Sequence, residues 1–232
     1  MRCRVRSPRA VATAIVFLAG IFGPGSAHAL PMSFDLVGVG DSNNTASVLF
    51  EYVAGSGTLH IEIENTSVLY DPRVTAFAFN VPSQVTGIAS FGGATGWEGY
   101  FNPNRINTPG QFGLFDMAAL TGPGFNGGDP NDGIPSGETF SFDIALMGSD
   151  LSSLTELSFL NLLSLDRPGG ANEDEQHFIA RFQRAGPLGL GSDVGAPTDD
   201  PTAPVPEPAT VLLLGSGFFG LAGLLRKGAR KA

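Results

Sequence analysis

Short segments in which apolar and polar residues alternate are the feature that most constrains the fold of this chain. In Thr58–Glu64 and Thr139–Leu146 every second residue is apolar. Because successive side chains of a strand point to opposite faces, each segment predicts a strand with one buried face. Six more segments have this strand character: 33–39, 47–53, 74–80, 84–90, 111–115 and 177–183. Clusters of Gly, Pro, Asn and Asp separate them and predict tight turns.

The number and length of these strands predict the fold class. Eight short strands indicate a mainly β protein, an antiparallel β-sandwich of jelly-roll or Ig-like kind. One helix is predicted over 151–163, with Asp150 as its N-cap and leucines three and four residues apart. Only 15% of the 232 residues are charged, too few to solvate the outer faces of a coiled coil or a charged helical bundle.

The first 29 residues have the pattern of a secretory signal peptide. A basic start is followed by the apolar run 10–22 and by Ala27-His28-Ala29, a small-x-small cleavage site. We therefore expect the secretion translocon to export the chain and a peptidase to remove residues 1–29. The single cysteine, Cys3, lies in this segment, so the mature chain is predicted to hold no disulfide and no thiolate metal site.

The C-terminal end combines three features in a fixed order. A short motif comes first, an uncharged glycine-rich run over 209–225 follows, and a basic tail closes the chain. Seventeen helical residues span roughly 25 Å, enough for a thin bilayer, so 209–225 is predicted to be a transmembrane helix. The motif is Val205, Pro206, Glu207 and Pro208, and the basic residues are Arg226, Lys227, Arg230 and Lys231.

This order resembles the PEP-CTERM sorting signal of Gram-negative bacteria. The resemblance implies exosortase, an integral-membrane transpeptidase, as a partner, with transient anchoring in the inner membrane and then release to the cell surface or extracellular matrix. It implies nothing about the cargo. The predicted organisation is a signal peptide (1–29), a β-sandwich ectodomain (30–186), a Pro/Gly/Asp linker (187–204) and the sorting signal (205–232).

The charge of the central segment limits its partners. Between Leu30 and Pro204 the chain has five Arg, no Lys and 21 acidic residues, a formal charge of −16. Nucleic acid is excluded as a partner, because its binding depends on basic side chains that displace counterions. A surface of this kind is expected to attract divalent cations weakly.

A glycine-rich acidic loop is the candidate metal site. Asp129, Asn131 and Asp132 offer hard oxygen ligands of the kind that Ca²⁺ takes. The spacing is not that of an EF-hand, and ordinary turn chemistry explains the same residues. No other cofactor is predicted, and calcium is kept as a hypothesis beside the simple turn.

An aromatic cluster is the candidate carbohydrate site. Trp97 and Tyr100 lie close to Glu98 and Arg105, and exposed rings beside polar side chains stack on sugars. In the alternative interpretation Trp97 is a core residue, since Trp is highly buried on average. Extracellular polysaccharide is therefore a candidate partner.

An esterase is the third hypothesis. Gly40-Asp41-Ser42 and the Asp-x-x-His pair ending at His177 resemble parts of the GDSL hydrolase pattern, which implies a serine nucleophile. The match departs from that family, because Phe178 stands where the family has Pro and the helices of its parallel α/β fold are missing. We therefore expect a non-enzymatic structural or adhesive protein, with a glycan-binding module as the alternative.

Overall fold

The described part of the protein is a mainly β structure with one short α-helix. The computed structural model describes residues 31–108, 112–165 and 175–198. The helix α1 is Glu156–Leu160. The strands are β1 Met32–Gly38, β2 Thr45–Val53, β3 Thr58–Asn65, β4 Arg73–Phe79, β5 Val85–Gly92, β6 Glu98–Asn107, β7 Leu114–Leu120, β8 Thr139–Gly148, β9 Phe178–Ala185 and β10 Gly191–Pro197.

All ten strands form one antiparallel sheet in the order β5-β8-β3-β2-β1-β10-β9-β4-β7-β6. The sheet curls until its two edge strands meet: Gly99 of β6 lies so close to the ring of Phe91 of β5 that a Cβ at Gly99 would overlap it. The mainly β, antiparallel class is confirmed. The division into two sheets of jelly-roll or Ig-like kind is not confirmed, because hydrogen bonds join the described strands into a single, nearly closed sheet.

Aromatic side chains fill the interior of the curled sheet. Phe77 of β4 packs on Phe142 of β8, with ring centroids 5.1 Å apart. Phe50 of β2 meets Phe79 of β4 at 5.6 Å, and both pairs have the edge-to-face geometry that aromatic rings favour. These pairs join strands that are distant in the sheet order, so they hold the curled sheet against itself.

Half of the sheet is also buried on its outer face. In β4 the large Phe77 and Phe79 point inward, whereas Ala76 and Ala78 point outward into a second apolar cluster. Phe112 and Phe125 belong to this outer cluster and are buried there. The expectation of one buried face per strand is therefore wrong for β4, where small outward side chains let covering segments approach closely.

The predicted helix over 151–163 is wrong in extent. Residues Leu151–Ser153 form a 3₁₀ turn, and α1 covers five residues. Asp150 has a left-handed backbone (φ 54°) and its side chain makes no cap bond, so it does not start an α-helix. The start of α1 is fixed instead at Thr155, whose N–H donates to Ser158 Oγ at 3.0 Å.

The predicted linker 187–204 is wrong over Gly191–Pro197, which forms β10. This strand lies between β1 and β9: Gly195 is paired with Gly38 on one side and with Ala180 on the other. Gly195 is required there, because a Cβ would lie 2.7 Å from the Phe182 ring. The ectodomain therefore continues past residue 186.

The strand β6 is a second element that the sequence does not predict, because its Pro103 and Asn104 suggest a turn.

Asp193 of β10 fastens this strand to the turn between β1 and β2. Its Oδ1 accepts the Gly40 N–H, and its Oδ2 accepts the Asp41 N–H and the Asn44 side-chain amide, all at 2.9 Å. Hydrogen bonds to a carboxylate are stronger than those between neutral groups. One side chain of β10 thus fixes a turn that is about 150 residues away in the sequence.

We predict that Asp193→Ala lowers the free energy of unfolding by about 2–4 kcal/mol, because three donors lose a charged acceptor at once. Asp35→Ala is the matched control: it removes an exposed carboxylate from the neighbouring β1 and is expected to change stability by about 0.5 kcal/mol or less. Urea unfolding followed by circular dichroism measures both. Equal stabilities of the two variants would contradict the role given to Asp193.

Candidate functional site

A groove of about 400 Å³ opens on the outer face of β6. One wall is strand β6, and the other is the segment from Gly122 to Phe125 that follows β7. Ile106, Leu120 and Phe125 form an apolar floor, and all three are buried. The rim carries the polar groups of β6. A cavity of this size, with an apolar floor and a few polar groups, has the dimensions of a small-ligand site.

A bulge in β6 shapes the groove. The pairing of β6 with β7 shifts between Phe101 and Ile106, so the residues between them are left out of the ladder. Asn104 adopts a left-handed backbone (φ 55°) in this bulge, and its N–H donates to Asp116 Oδ1 at 2.7 Å. The other oxygen of Asp116 accepts the Val81 N–H at 3.2 Å. One carboxylate therefore holds the bulge, and with it Arg105, in place.

The rim of the groove carries three side chains suited to recognition. Tyr100 is 47% exposed, and Glu98 and Arg105 are exposed beside it. Within the described part of the chain, neither Glu98 nor Arg105 makes a side-chain hydrogen bond or an ion pair. The rim thus presents an aromatic ring, a carboxylate that accepts hydrogen bonds and a guanidinium that donates them.

The loop that forms the second wall is fixed by its glycines. A Cβ on Gly122 would meet the carbonyl oxygen of Gly127, and Gly124 has φ 136°, which side-chain-bearing residues rarely adopt. The Asp129 N–H donates to the Thr121 carbonyl at 3.2 Å and closes the loop. Sequence patterns missed this wall, because only long-range pairing brings the segment next to β6.

The structure separates the two aromatic residues of the predicted carbohydrate site. Trp97 is only 6% exposed, packs on Phe142 with ring centroids 4.7 Å apart, and donates its indole N–H to the Asp132 carbonyl at 2.8 Å. A sugar therefore has no access to its face, and the prediction that Trp97 stacks on one is wrong. Tyr100 remains exposed, because it points to the opposite face of the sheet.

The candidate calcium loop has the contacts of a turn. Asp129 Oδ1 accepts the backbone N–H of Asn131 at 2.8 Å and its side-chain amide at 3.0 Å. Asn131 Oδ1 accepts a guanidinium N–H of Arg184 at 2.7 Å, so a cationic group already lies on that oxygen. Asp132 lies against Gly96. No group of three or more His, Cys, Asp or Glu in the described ranges is placed to hold a metal ion, and calcium binding stays a prediction.

The two residues of the esterase hypothesis lie at opposite ends of the sheet. Ser42 is in the turn that follows β1, at the end where β9 finishes, whereas His177 directly precedes the start of β9. The eight residues of β9 separate those ends by roughly 25 Å. A nucleophile and its base must be within hydrogen-bond reach, so this pair does not assemble a catalytic site.

A charged cluster that the sequence did not single out lies on the outer face of β3 and β8. His60 Nδ1 is 2.8 Å from Asp143 Oδ1, and His60 Nε2 is 3.3 Å from Glu62 Oε1. Glu51 is paired with His60 from the other side, on β2. The hydrogen bond to Asp143 raises the pKa of His60 above its usual 6.5; burial opposes this and Glu62 adds to it.

Comparison with known protein families finds a match at the C-terminal end of the chain. Residues 204–227 match the family model of the PEP-CTERM protein-sorting motif. No curated protein and no solved structure matches the chain. The matched residues, the predicted signal peptide and the predicted transmembrane helix lie outside the described residues. Among the helices of the described residues, none is long and apolar enough to cross a membrane.

The His60 cluster predicts a pH-dependent stability. Because the folded-state pKa of His60 is raised, its contribution is complete below the unfolded value of about 6.5 and is lost as the pH rises through the folded-state pKa. We expect the melting temperature of the wild type to exceed that of His60→Gln by more at about pH 5.5 than at about pH 8.5.

The variant Asp143→Asn tests the cause, since it keeps the imidazole and removes the carboxylate that raises its pKa. It should reduce the pH dependence as His60→Gln does. Calorimetric melting of the wild type, His60→Gln and Asp143→Asn at both pH values measures this pH dependence. A melting difference that is the same at both pH values would show that the ion pair does not contribute.

Proposed function

We propose that this chain is an exported protein whose β domain has a non-enzymatic structural or adhesive role at the cell surface or in the extracellular matrix. The PEP-CTERM motif at 204–227 indicates export through the membrane-associated exosortase pathway and recognition by exosortase. The location after sorting and the adhesive role are our inference, and the exposed surface of the domain supports them.

The observation that carries the proposal is the placement of exposed apolar side chains relative to the end of the domain. The described chain ends at Thr198, whose N–H donates to the Asp35 carbonyl at 3.3 Å, beside the middle of β1. The strand β10 runs toward this point from the opposite end of the sheet. The sorting segment comes after Thr198 in the sequence, and we infer that the opposite end of the sheet faces outward.

That opposite end carries an apolar surface formed by two connections. Val68, Leu69 and Tyr70 precede β4, and Leu188 and Leu190 lie in the turn between β9 and β10; all five are exposed. Arg73 at the start of β4 is paired with Gln183 near the end of β9, so both connections leave the same end of the sheet. We call these five residues the apolar end.

The connection that precedes β4 is fixed by hydrogen bonds from a buried side chain. Asn65 is fully buried, and its side-chain amide donates to the Pro72 carbonyl at 2.7 Å and the Ile134 carbonyl at 2.9 Å. Tyr70 and Asp71 both have left-handed backbones, with φ 66° and 49°, which are uncommon for such residues. Exposed apolar side chains grouped at one end of a fixed framework are typical of contact surfaces. An adhesive role uses such a surface.

The test is cell fractionation of the native host with the wild type and the double variant Val68→Ser, Leu190→Ser. We expect both proteins to leave the cell and, by intact mass, to lack residues 1–29 and the tail after the Pro-Glu-Pro region. The wild type should stay with the matrix, whereas the variant should move into the medium. The double variant Thr139→Ser, Thr58→Ser changes other exposed-face positions and is the control, expected to stay with the matrix.

Two results would contradict the proposal separately. A mature extracellular protein that still carries residues 226–231 would contradict sorting by exosortase. Retention of the apolar-end variant in the matrix at the wild-type level would contradict adhesion through this surface while leaving export intact.

A further inference from the structure

We propose that the groove on β6 binds a carbohydrate chain, with Tyr100 as the stacking platform and Glu98 and Arg105 as the hydrogen-bonding groups. The inference rests on the proposed function, since it names a class of extracellular partner for the exported domain. It concerns a different surface from the apolar end: the groove is on the side of the sheet, along its edge strand.

Tyr100 is placed as a platform rather than as a core residue. Its partner in the ladder, Ala118 of β7, is fully buried, whereas the Tyr100 side chain on the edge strand stays 47% exposed. Its hydroxyl accepts only a long bond from the Asn102 amide, at 3.3 Å. The ring is therefore about half exposed in a concave site, where its face contacts a ligand and its polar edge meets water.

The charges on the rim favour hydroxyl groups as ligands. The Glu98 carboxylate accepts hydrogen bonds, and the Arg105 guanidinium donates them. Because a sugar hydroxyl both donates and accepts hydrogen bonds, the hydroxyls of a sugar can bind both side chains. A polyanion such as nucleic acid is disfavoured by Glu98 and by the charge of −16 between Leu30 and Pro204. A purely apolar ligand leaves both charged groups desolvated without partners, which costs binding energy.

Both walls of the groove have a fixed backbone conformation. Asp116 fixes the bulge that carries Arg105, and the glycines of the second wall hold it in one backbone conformation. Binding therefore costs little ordering of the backbone, which improves affinity for a weakly interacting ligand. The volume of about 400 Å³ lies at the lower end of the range for small-ligand sites, which suits one or two sugar rings of a longer chain.

The experiment uses the mature exported protein on an array of defined neutral and acidic oligosaccharides, followed by titration calorimetry with the best binder. Tyr100→Ala is expected to weaken binding about tenfold or more, which corresponds to about 1.4 kcal/mol. Tyr100→Phe, which keeps the ring, should stay within about threefold of the wild type. Met147→Ala is the matched control, because Met147 is 48% exposed but lies on β8, outside both the groove and the apolar end.

Glu98→Gln with Arg105→Gln tests the polar contacts and should weaken binding while leaving the melting temperature unchanged. Binding of a saccharide that Tyr100→Ala does not weaken would overturn the assignment of the groove. Absence of binding to every saccharide on the array would also overturn it. Neither result bears on the proposed function. That proposal is contradicted separately, if the apolar-end variant stays in the matrix or the mature protein retains residues 226–231.

Discussion

The insertion of β10 between β1 and β9 is the interaction on which the rest of the structure depends. Without it these two strands would be about 10 Å apart, two strand spacings, and neither could bond the other. The strand joins the half of the sheet that begins the domain to the half that carries β4, β7 and β6. Asp193 adds three hydrogen bonds to the turn after β1. Ring contacts such as Phe50 with Phe79 span the interior of this continuous sheet.

Much of the fold could be predicted from the sequence where local alternation is strong. Strands β3 and β8 lie where their patterns place them, because each has one inner and one outer face. The strand β10 could not be predicted, because its Gly191, Gly195 and Pro197 are typical of a linker. Its strand conformation depends on hydrogen bonds to β9, which precedes it in the chain, and to β1, which is distant in the sequence. The helix was overestimated for a related reason: leucine spacing does not reveal that Asp150 has a left-handed backbone.

Prediction of the candidate site from the sequence has the same limit. The aromatic cluster around Tyr100 was visible in the sequence, but the face on which each ring lies was not. Trp97 precedes β6 and turns into the core, where Phe142 and the Asp132 carbonyl contact it, whereas Tyr100 points outward. The second wall, from Gly122 to Phe125, has no local signal of function. The groove therefore arises from strand pairing, and the two surfaces that we propose for extracellular contacts belong to one continuous sheet.

The most direct test of the central claim compares two fragments, 31–198 and 31–186, by circular dichroism and thermal melting. The longer fragment keeps β10 and is expected to show a β-type spectrum and one cooperative transition. The shorter fragment lacks the strand that joins β1 to β9 and is expected to show no cooperative transition. A cooperative transition of the shorter fragment at the same temperature would contradict the claim, since the sheet would then be complete without β10.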